Sequence, residues 1–162
     1  MGDDDVLVDL GGGVGKSVVG GVMIFNASQG FSVELSESRF ARACRALERL
    51  EGAAASRACG RACRERAGRP GLIEMAHGDL MDFDLSAATV VLAFSTCYPL
   101  DFQARLQRKL LRELRLGARV YAPQHKGWDE GLVLGGRSLA PIPYDFGHAF
   151  RVEAVGTAPG EL

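Results

Sequence analysis

Glycines and acids follow the apolar segments of this chain, and their types and spacing suit the binding of a nucleotide. Residues 6–10 form an apolar run that contains Asp9 and ends at a cluster of four glycines. Glycine tolerates the positive φ angles of a tight turn and lets the backbone approach a ligand closely. The unpaired N–H groups at the start of a following helix can then face that ligand. The pattern predicts a strand, a glycine turn and a helix, which form the first half of a nucleotide-binding β-α-β unit.

Three loop patterns compete for the glycine cluster. The dinucleotide pattern G-x-G-x-x-G fails, because Lys16 stands where the third glycine belongs. The phosphate-loop pattern G-x-x-x-x-G-K-[ST] fits at Gly15-Lys16-Ser17, but its first glycine would fall on Leu10, and no later apolar strand ends in an aspartate for magnesium. The pattern Asp-Leu-Gly-x-Gly-x-Gly is matched throughout by residues 9–15, so we favour it and keep the phosphate loop as the alternative.

An acid near the end of the second predicted strand has the spacing of a ribose ligand. Residues 30–35 predict this strand, and Glu34 lies 19 positions beyond Gly15. In β-α-β nucleotide sites, an acidic residue about 20 positions on binds the ribose hydroxyls. A carboxylate suits this role because it can accept hydrogen bonds from two hydroxyls at once. The structural alternative is a solvated acid ahead of a helix.

Composition limits the classes of protein that need to be considered. The chain has 162 residues, of which 47% are hydrophobic and 24% charged, as in one globular domain. The net charge of −1 argues against bulk electrostatic attachment to nucleic acid or membrane. No apolar run approaches the roughly 20 residues of a membrane span, and the acidic N-terminus lacks the basic start of a signal peptide. We therefore expect an intracellular protein with no membrane partner.

Four cysteines show no zinc-ligand spacing. Cys59 and Cys63 would lie one helical turn apart, and no second pair or histidine cluster follows. We expect reduced, mostly buried cysteines and no metal.

The remaining segments predict an α/β sheet with helices on both faces. Residues 18–25 are apolar on nearly every side, as in a helix covered by a sheet. Residues 37–67 predict an arginine-rich helix, broken near Gly52, whose basic face contacts either solvent or phosphate. Further strands are expected over residues 72–76, 89–94 and 117–123, with an amphipathic helix over residues 101–116. Residues 128–139 and 149–155 predict an antiparallel pair, with Pro141-Ile142-Pro143 turning between them and a loose tail over 157–162.

Together these motifs resemble those of class I S-adenosylmethionine-dependent methyltransferases. The sequence matches that class at Asp-Leu-Gly-x-Gly-x-Gly, at Val33-Glu34 and at Gly78-Asp79-Leu80. With Ser-Thr-Cys-Tyr over residues 95–98, the combination is similar to that of the non-SET histone lysine methyltransferases, which modify the nucleosome core. The resemblance implies a Rossmann-like methyltransferase domain over residues 1–156, with a mostly parallel sheet that ends in an antiparallel strand pair.

The resemblance also implies roles for individual residues. S-adenosylmethionine would be bound by one set of residues, Asp9, Gly11, Gly13, Gly15, Glu34, Asp79 and Leu80. Asp79 would accept a hydrogen bond from the adenine amino group, and Leu80 or Met81 would pack against the ring; a turn aspartate bonded to its own backbone is the alternative. Ser95, Thr96 and Tyr98 would line the channel of the acceptor lysine.

Two departures from the family bear on activity. Phe94 stands where the family has an asparagine beside the methyl donor, and the chain begins at the first strand, without the family's N-terminal cofactor-closing segment. We expect direct in-line methylation of a lysine, with a histone or nucleosome as partner and a nuclear location if the resemblance holds. The alternatives are a catalytically impaired binding module and a phosphate-loop NTPase.

Overall fold

The centre of the fold is one twisted sheet built around the strand that precedes the glycine cluster. The computed structural model describes residues 1–51, 59–60, 72–94, 97–122, 128–143 and 148–155. Within these ranges the strands are β1 (Val6–Leu10), β2 (Gln29–Glu34), β3 (Cys59–Gly60), β4 (Leu72–His77), β5 (Val90–Leu92), β6 (Arg119–Tyr121), β7 (Arg137–Ile142) and β8 (Ala149–Ala154). The helices are α1 (Lys16–Met23), α2 (Glu37–Glu51) and α3 (Leu100–Glu113).

The sheet is parallel except at one end. Its strand order is β3-β4-β2-β1-β5-β6-β8-β7, so the two-residue β3 extends a seven-stranded arrangement at the edge. The strands β1, β2, β4, β5 and β6 run parallel to one another, whereas β8 is antiparallel to both β6 and β7. The predicted Rossmann-like sheet, with its antiparallel C-terminal pair, is confirmed. Because the parallel strands share a direction, the residues that follow them meet at one edge.

Alternation along β1 directs its side chains to two different cores. Val8 and Leu10 belong to the larger cluster, which α3 covers with Leu106 and Leu110. Leu7 faces α1 on the opposite side, where it lies against Gly21. On that side α1, α2 and β4 form a second cluster of buried residues, Val18, Ala43, Cys44, Leu47, Ile73 and Met75. Helices therefore cover both faces of the sheet, as predicted.

The first helix differs from its prediction at its C-terminal end. α1 ends at Met23, and Asn26 turns the chain with a φ of 60°. Met23, Ile24 and Phe25 therefore project into solvent, with exposed fractions of 64%, 75% and 58%. The expectation of a helix covered on nearly every side is wrong for these three residues.

The predicted arginine-rich helix is shorter than expected. α2 ends at Glu51, at the predicted break before Gly52. Cys59–Gly60 is a strand paired with β4, so a helix through these two residues is wrong. Cys63, predicted one helical turn from Cys59, lies outside the described residues. The remaining arginines predicted for this helix, from Arg57 onward, all lie outside the described residues.

The C-terminal strand pair forms with a shifted boundary. β7 begins at Arg137, later than predicted, because residues 128–136 turn through Gly135 and Gly136, whose φ angles are 58° and 71°. Pro141 lies inside β7 and not in a turn, opposite Phe150 of β8. An edge strand accommodates proline, because the missing N–H can face away from the sheet.

The expectation of reduced, mostly buried cysteines is wrong for Cys44, which is oxidised. Cys44 is buried and disulfide-bonded, and Cys97 is an exposed thiol.

No helix in the described part of the chain is long and apolar enough to cross a membrane. The predicted tail over residues 157–162 lies outside the described residues.

Candidate functional site

The glycine cluster forms the turn that the sequence predicts between β1 and α1. Gly11, Gly13 and Gly15 have φ angles of 82°, 60° and 80°, which other residues rarely adopt. Gly15 occupies the N-cap position of α1, and a side chain there would overlap the Met75 methyl group. Around Gly13, by contrast, an added Cβ would meet no atom within 4 Å. The turn is thus closely packed beneath and open above Gly13, where a ligand could approach the backbone.

Glu34, the predicted ribose ligand, ties the glycine turn to the end of β2. It is the last residue of that strand and is buried, with 6% of its surface exposed. Its Oε2 accepts a hydrogen bond of 2.9 Å from the Gly13 N–H, and its Oε1 accepts one of 2.7 Å from the Ser36 N–H. A carboxylate has about four lone-pair sites, so about two remain for a pair of ribose hydroxyls. Glu34 can therefore hold the turn and bind a sugar at the same time.

Asp9 lies beneath the glycine turn, where it is almost fully buried. A side chain at Gly12 would come within 2.9 Å of its Oδ2. Burial is the main reason that the pKa of Asp9 is raised to about 6, and the negative charge of Glu34 adds to the rise. The Ser17 hydroxyl donates a hydrogen bond to the carboxylate and acts to lower the pKa. Asp9 supports the turn from below.

Tyr98 reaches the glycine turn from the loop after β5. A methyl group added at Gly11 would lie 2.5 Å from the Tyr98 hydroxyl oxygen. Burial raises the pKa of Tyr98, as do the negative charges of Glu34, Asp9 and Asp79, while Arg39 lowers it. Tyr98 is therefore a neutral phenol at physiological pH, and it lies within electrostatic reach of all three predicted acids.

Asp79 lies two positions beyond the end of β4 and is exposed. Its Oδ1 accepts a hydrogen bond of 2.8 Å from the Met81 N–H, which is the turn arrangement considered as the alternative to adenine binding. The two arrangements are compatible, because one carboxylate oxygen is enough for the turn. Leu80 is buried in the larger core, so the half-buried Met81 has the more accessible side chain.

The loop after β5 contains the remaining predicted residues. Phe94 follows this strand and has 51% of its surface exposed. Tyr98 packs edge-to-face on Phe102 of α3, with ring centroids 4.9 Å apart, and its carbonyl accepts a hydrogen bond from Gln103. Ser95 and Thr96 lie outside the described residues.

The structure adds neighbours that sequence reasoning did not single out. Arg39, on the first turn of α2, places its Nη1 3.9 Å from Glu34 Oε2. His77 pairs with Glu34 in the β2–β4 register, and its Nε2 lies 3.1 Å from the Leu35 carbonyl oxygen. The His77 ring stacks on Phe40 at 5.3 Å. His77 could have been placed near the site from the sequence, because it directly precedes Gly78-Asp79. Arg39 could not, because many arginines follow it in the same segment.

The donor and acceptor set fits a nucleoside with two vicinal hydroxyls. Glu34 has acceptor sites left, Gly13 has open space above it, and Asp79 is exposed beyond the neighbouring strand. In the described part of the chain, no group of three or more His, Cys, Asp or Glu residues is arranged to hold a metal ion.

Comparison with known proteins agrees with this geometry. No family model matches the chain. A protein-lysine N-methyltransferase of Saccharolobus islandicus (strain REY15A) is 26% identical over 133 residues, which are 81% of this chain and 70% of that protein.

Solved structures of methyltransferases share the fold. An RNA methyltransferase from Salinibacter ruber in complex with S-adenosyl-L-homocysteine matches 98% of this chain and 86% of its own length, with a TM-score of 0.63 and 20% identity. A geranyl diphosphate C-methyltransferase from Streptomyces coelicolor A3(2) matches 75% of this chain and 39% of its own length, with a TM-score of 0.55 and 24% identity. The predicted resemblance to class I S-adenosylmethionine-dependent methyltransferases is confirmed.

Proposed function

We propose that this chain, whose fold and relatives are those of S-adenosylmethionine-dependent methyltransferases, methylates a lysine side chain of a protein. S-adenosylmethionine supplies an electrophilic methyl group on a sulfonium. Glu34 binds the ribose hydroxyls with its remaining lone pairs, and the glycine turn gives the cofactor access to the backbone. Asp79 accepts from the adenine amine, with Met81 beside the ring.

The observation that carries the choice of acceptor is the negative field around Tyr98. Its hydroxyl lies at Gly11, and the negative charges of Glu34, Asp9 and Asp79 act on it, partly offset by the positive charge of Arg39. Such a field attracts the lysine ammonium group and opposes the phosphates of a nucleic acid or a diphosphate. The Saccharolobus relative is named for the same acceptor.

Before transfer, the lysine ammonium must release a proton to solvent to free its lone pair. Phe94, two positions beyond β5, offers an exposed apolar surface. Contact with it desolvates the ammonium and lowers its pKa, against the opposite effect of the nearby negative charges. Tyr98 stays protonated, so its oxygen accepts a hydrogen bond from the nitrogen and orients it without removing the proton. Bound S-adenosylmethionine would supply its methyl group in line to this nitrogen, with S-adenosylhomocysteine as the leaving group.

A labelled-methyl-donor assay with several acceptors tests this proposal. We expect label in a histone octamer, the partner that the sequence resemblance implies, and no label in the same octamer after its lysines are chemically blocked. Tyr98→Phe should lower kcat/KM about 10-fold or more, because orientation of the nucleophile is lost. Transfer to RNA or to an isoprenoid diphosphate, but not to lysine, would contradict the proposal.

The alternative of a binding module without turnover rests on Phe94. A binding module would give a different result in the same assay, because the cofactor would bind but no acceptor would be labelled. Phe94→Asn distinguishes the two functions, because it should create activity in an impaired module and should not raise the activity of a competent enzyme.

A further inference from the structure

A row of arginines on α3 lies beside the proposed active site. Arg105, Arg108 and Arg112 are all exposed, and with Met81, Lys109 and Glu113 they line a groove of about 290 Å³. Positions 105, 108 and 112 recur at the three- and four-residue spacing of one helix face, so the three guanidinium groups line one side of the groove.

The other charges of the groove neutralise each other. Lys109 is buried, and its Nζ lies 2.7 Å from both carboxylate oxygens of Glu113. Glu113 Oε2 also accepts a hydrogen bond of 3.1 Å from the Leu85 N–H. Among the described residues, none of the three arginines forms an ion pair, so their positive charges stay available to a ligand.

A chain of ring contacts joins this groove to Tyr98. The Arg105 guanidinium lies over the Phe102 ring at 5.9 Å, and Phe102 contacts Tyr98. These two steps put Tyr98 within about 11 Å of the Arg105 guanidinium, a distance that about three residues of extended chain can span. At the other end, Met81 borders the residues proposed to bind adenine.

We infer that this groove binds an acidic segment of the acceptor protein, about three to four residues from the lysine that is methylated. Arginine suits this role because its planar guanidinium binds carboxylates through two parallel hydrogen bonds. The position of the lysine in this segment rests on the proposed function. The binding of an acidic segment in the groove does not.

An acidic peptide fits the groove better than a nucleic acid. The arginine row spans about 10.5 Å along the helix axis, from Arg105 to Arg112, which is short for a polyanion. The negative field at Tyr98 would repel a continuing phosphate chain, and the chain as a whole has a net charge of −1. A segment with a few acidic residues followed by a lysine would place its acids in the basic groove and its lysine in the negative field at Tyr98.

Peptide binding to the full chain tests the groove without requiring methylation. Fluorescence anisotropy would use a peptide with three glutamates and, three residues on, a glutamine in place of the lysine. A peptide with the glutamates changed to glutamine is its control, and single-stranded RNA is the third probe. We expect the acidic peptide to bind most tightly, and Arg108→Glu with Arg112→Glu to weaken it about 10-fold or more.

Arg45→Glu with Arg49→Glu, on the exposed face of α2, is the matched control and should leave this affinity within about two-fold. Circular dichroism checks that both double variants fold. Equal binding of the two peptides, equal losses in the two variants, or arginine-dependent binding of RNA in preference to the acidic peptide would each overturn the inference. If acidic peptides bind but no lysine is methylated, the groove is supported and the proposed acceptor is wrong.

Discussion

Replacing Asp9 by asparagine should stabilise this protein at neutral pH. Asp9 has only 2% of its surface exposed, and burial is the main reason that its pKa rises from 3.8 to about 6. The folded state therefore binds the Asp9 proton more tightly than the unfolded state does. The contribution of Asp9 to the free energy of unfolding therefore falls as pH rises from about 4 to about 6 and is constant above that.

The size of the effect follows from the shift. One pKa unit corresponds to about 1.4 kcal/mol, so a shift of about two units costs up to about 3 kcal/mol above pH 6. Asparagine keeps the shape and an acceptor for the Ser17 hydroxyl, but it has no charge to desolvate. We expect a gain of about 1–3 kcal/mol at pH 7, which shrinks by about 1 kcal/mol at pH 5.

Urea unfolding followed by circular dichroism at pH 5 and pH 7 measures both quantities. Asp5→Asn is a control for which we expect the opposite result, a loss of stability at neutral pH. Burial of Asp5 acts to raise its pKa but is outweighed by hydrogen bonds from Arg119, Thr89 and Gly2, so this carboxylate contributes stability at neutral pH that is lost on acidification. An Asp9→Asn variant that is less stable than the parent at pH 7, or whose gain does not change with pH, would show that burial of the Asp9 charge does not destabilise the fold.

Three other variants have definite expected outcomes. Gly11→Ala should destabilise the fold by about 1–3 kcal/mol and weaken cofactor binding, because its φ is 82° and the new methyl group meets the Tyr98 hydroxyl; thermal unfolding and calorimetry would measure the two effects. Glu113→Ala should cost about 2 kcal/mol in urea unfolding, because it leaves the buried Lys109 without its carboxylate, and a loss below about 0.5 kcal/mol would contradict this. Lys16→Ala should change S-adenosylhomocysteine affinity less than about two-fold, because its side chain is exposed, whereas a phosphate loop would lose its nucleotide.

The sequence predicts best those features that depend on short, fixed spacings. The turn from Gly11 to Gly15 requires positive φ angles, and that requirement selects glycine at each such position. Glu34 could be placed near the turn because one helix and one strand separate them in any β-α-β unit. The hydrogen bond between Gly13 and Glu34 follows from the parallel pairing of β1 with β2.

Contacts between distant segments could not be predicted in this way. Tyr98 meets Gly11 only because β5 pairs with β1 and directs the following loop over the turn. Pro141 signals a turn by itself, and its place in an edge strand depends on which strands are neighbours. The exposed Met23, Ile24 and Phe25 have the composition of a buried helix, and only the position of the helix end decides otherwise.

Calorimetric titration with S-adenosylhomocysteine, and separately with ATP and magnesium, distinguishes a methyl-donor site from a phosphate loop. We predict that S-adenosylhomocysteine binds, that ATP does not, and that Glu34→Ala weakens binding at least about 10-fold, or about 1.4 kcal/mol. Glu37→Ala, an exposed acid on the first turn of α2, should leave the affinity unchanged. Tight binding of ATP, or equal affinities in the parent and in Glu34→Ala, would contradict the account.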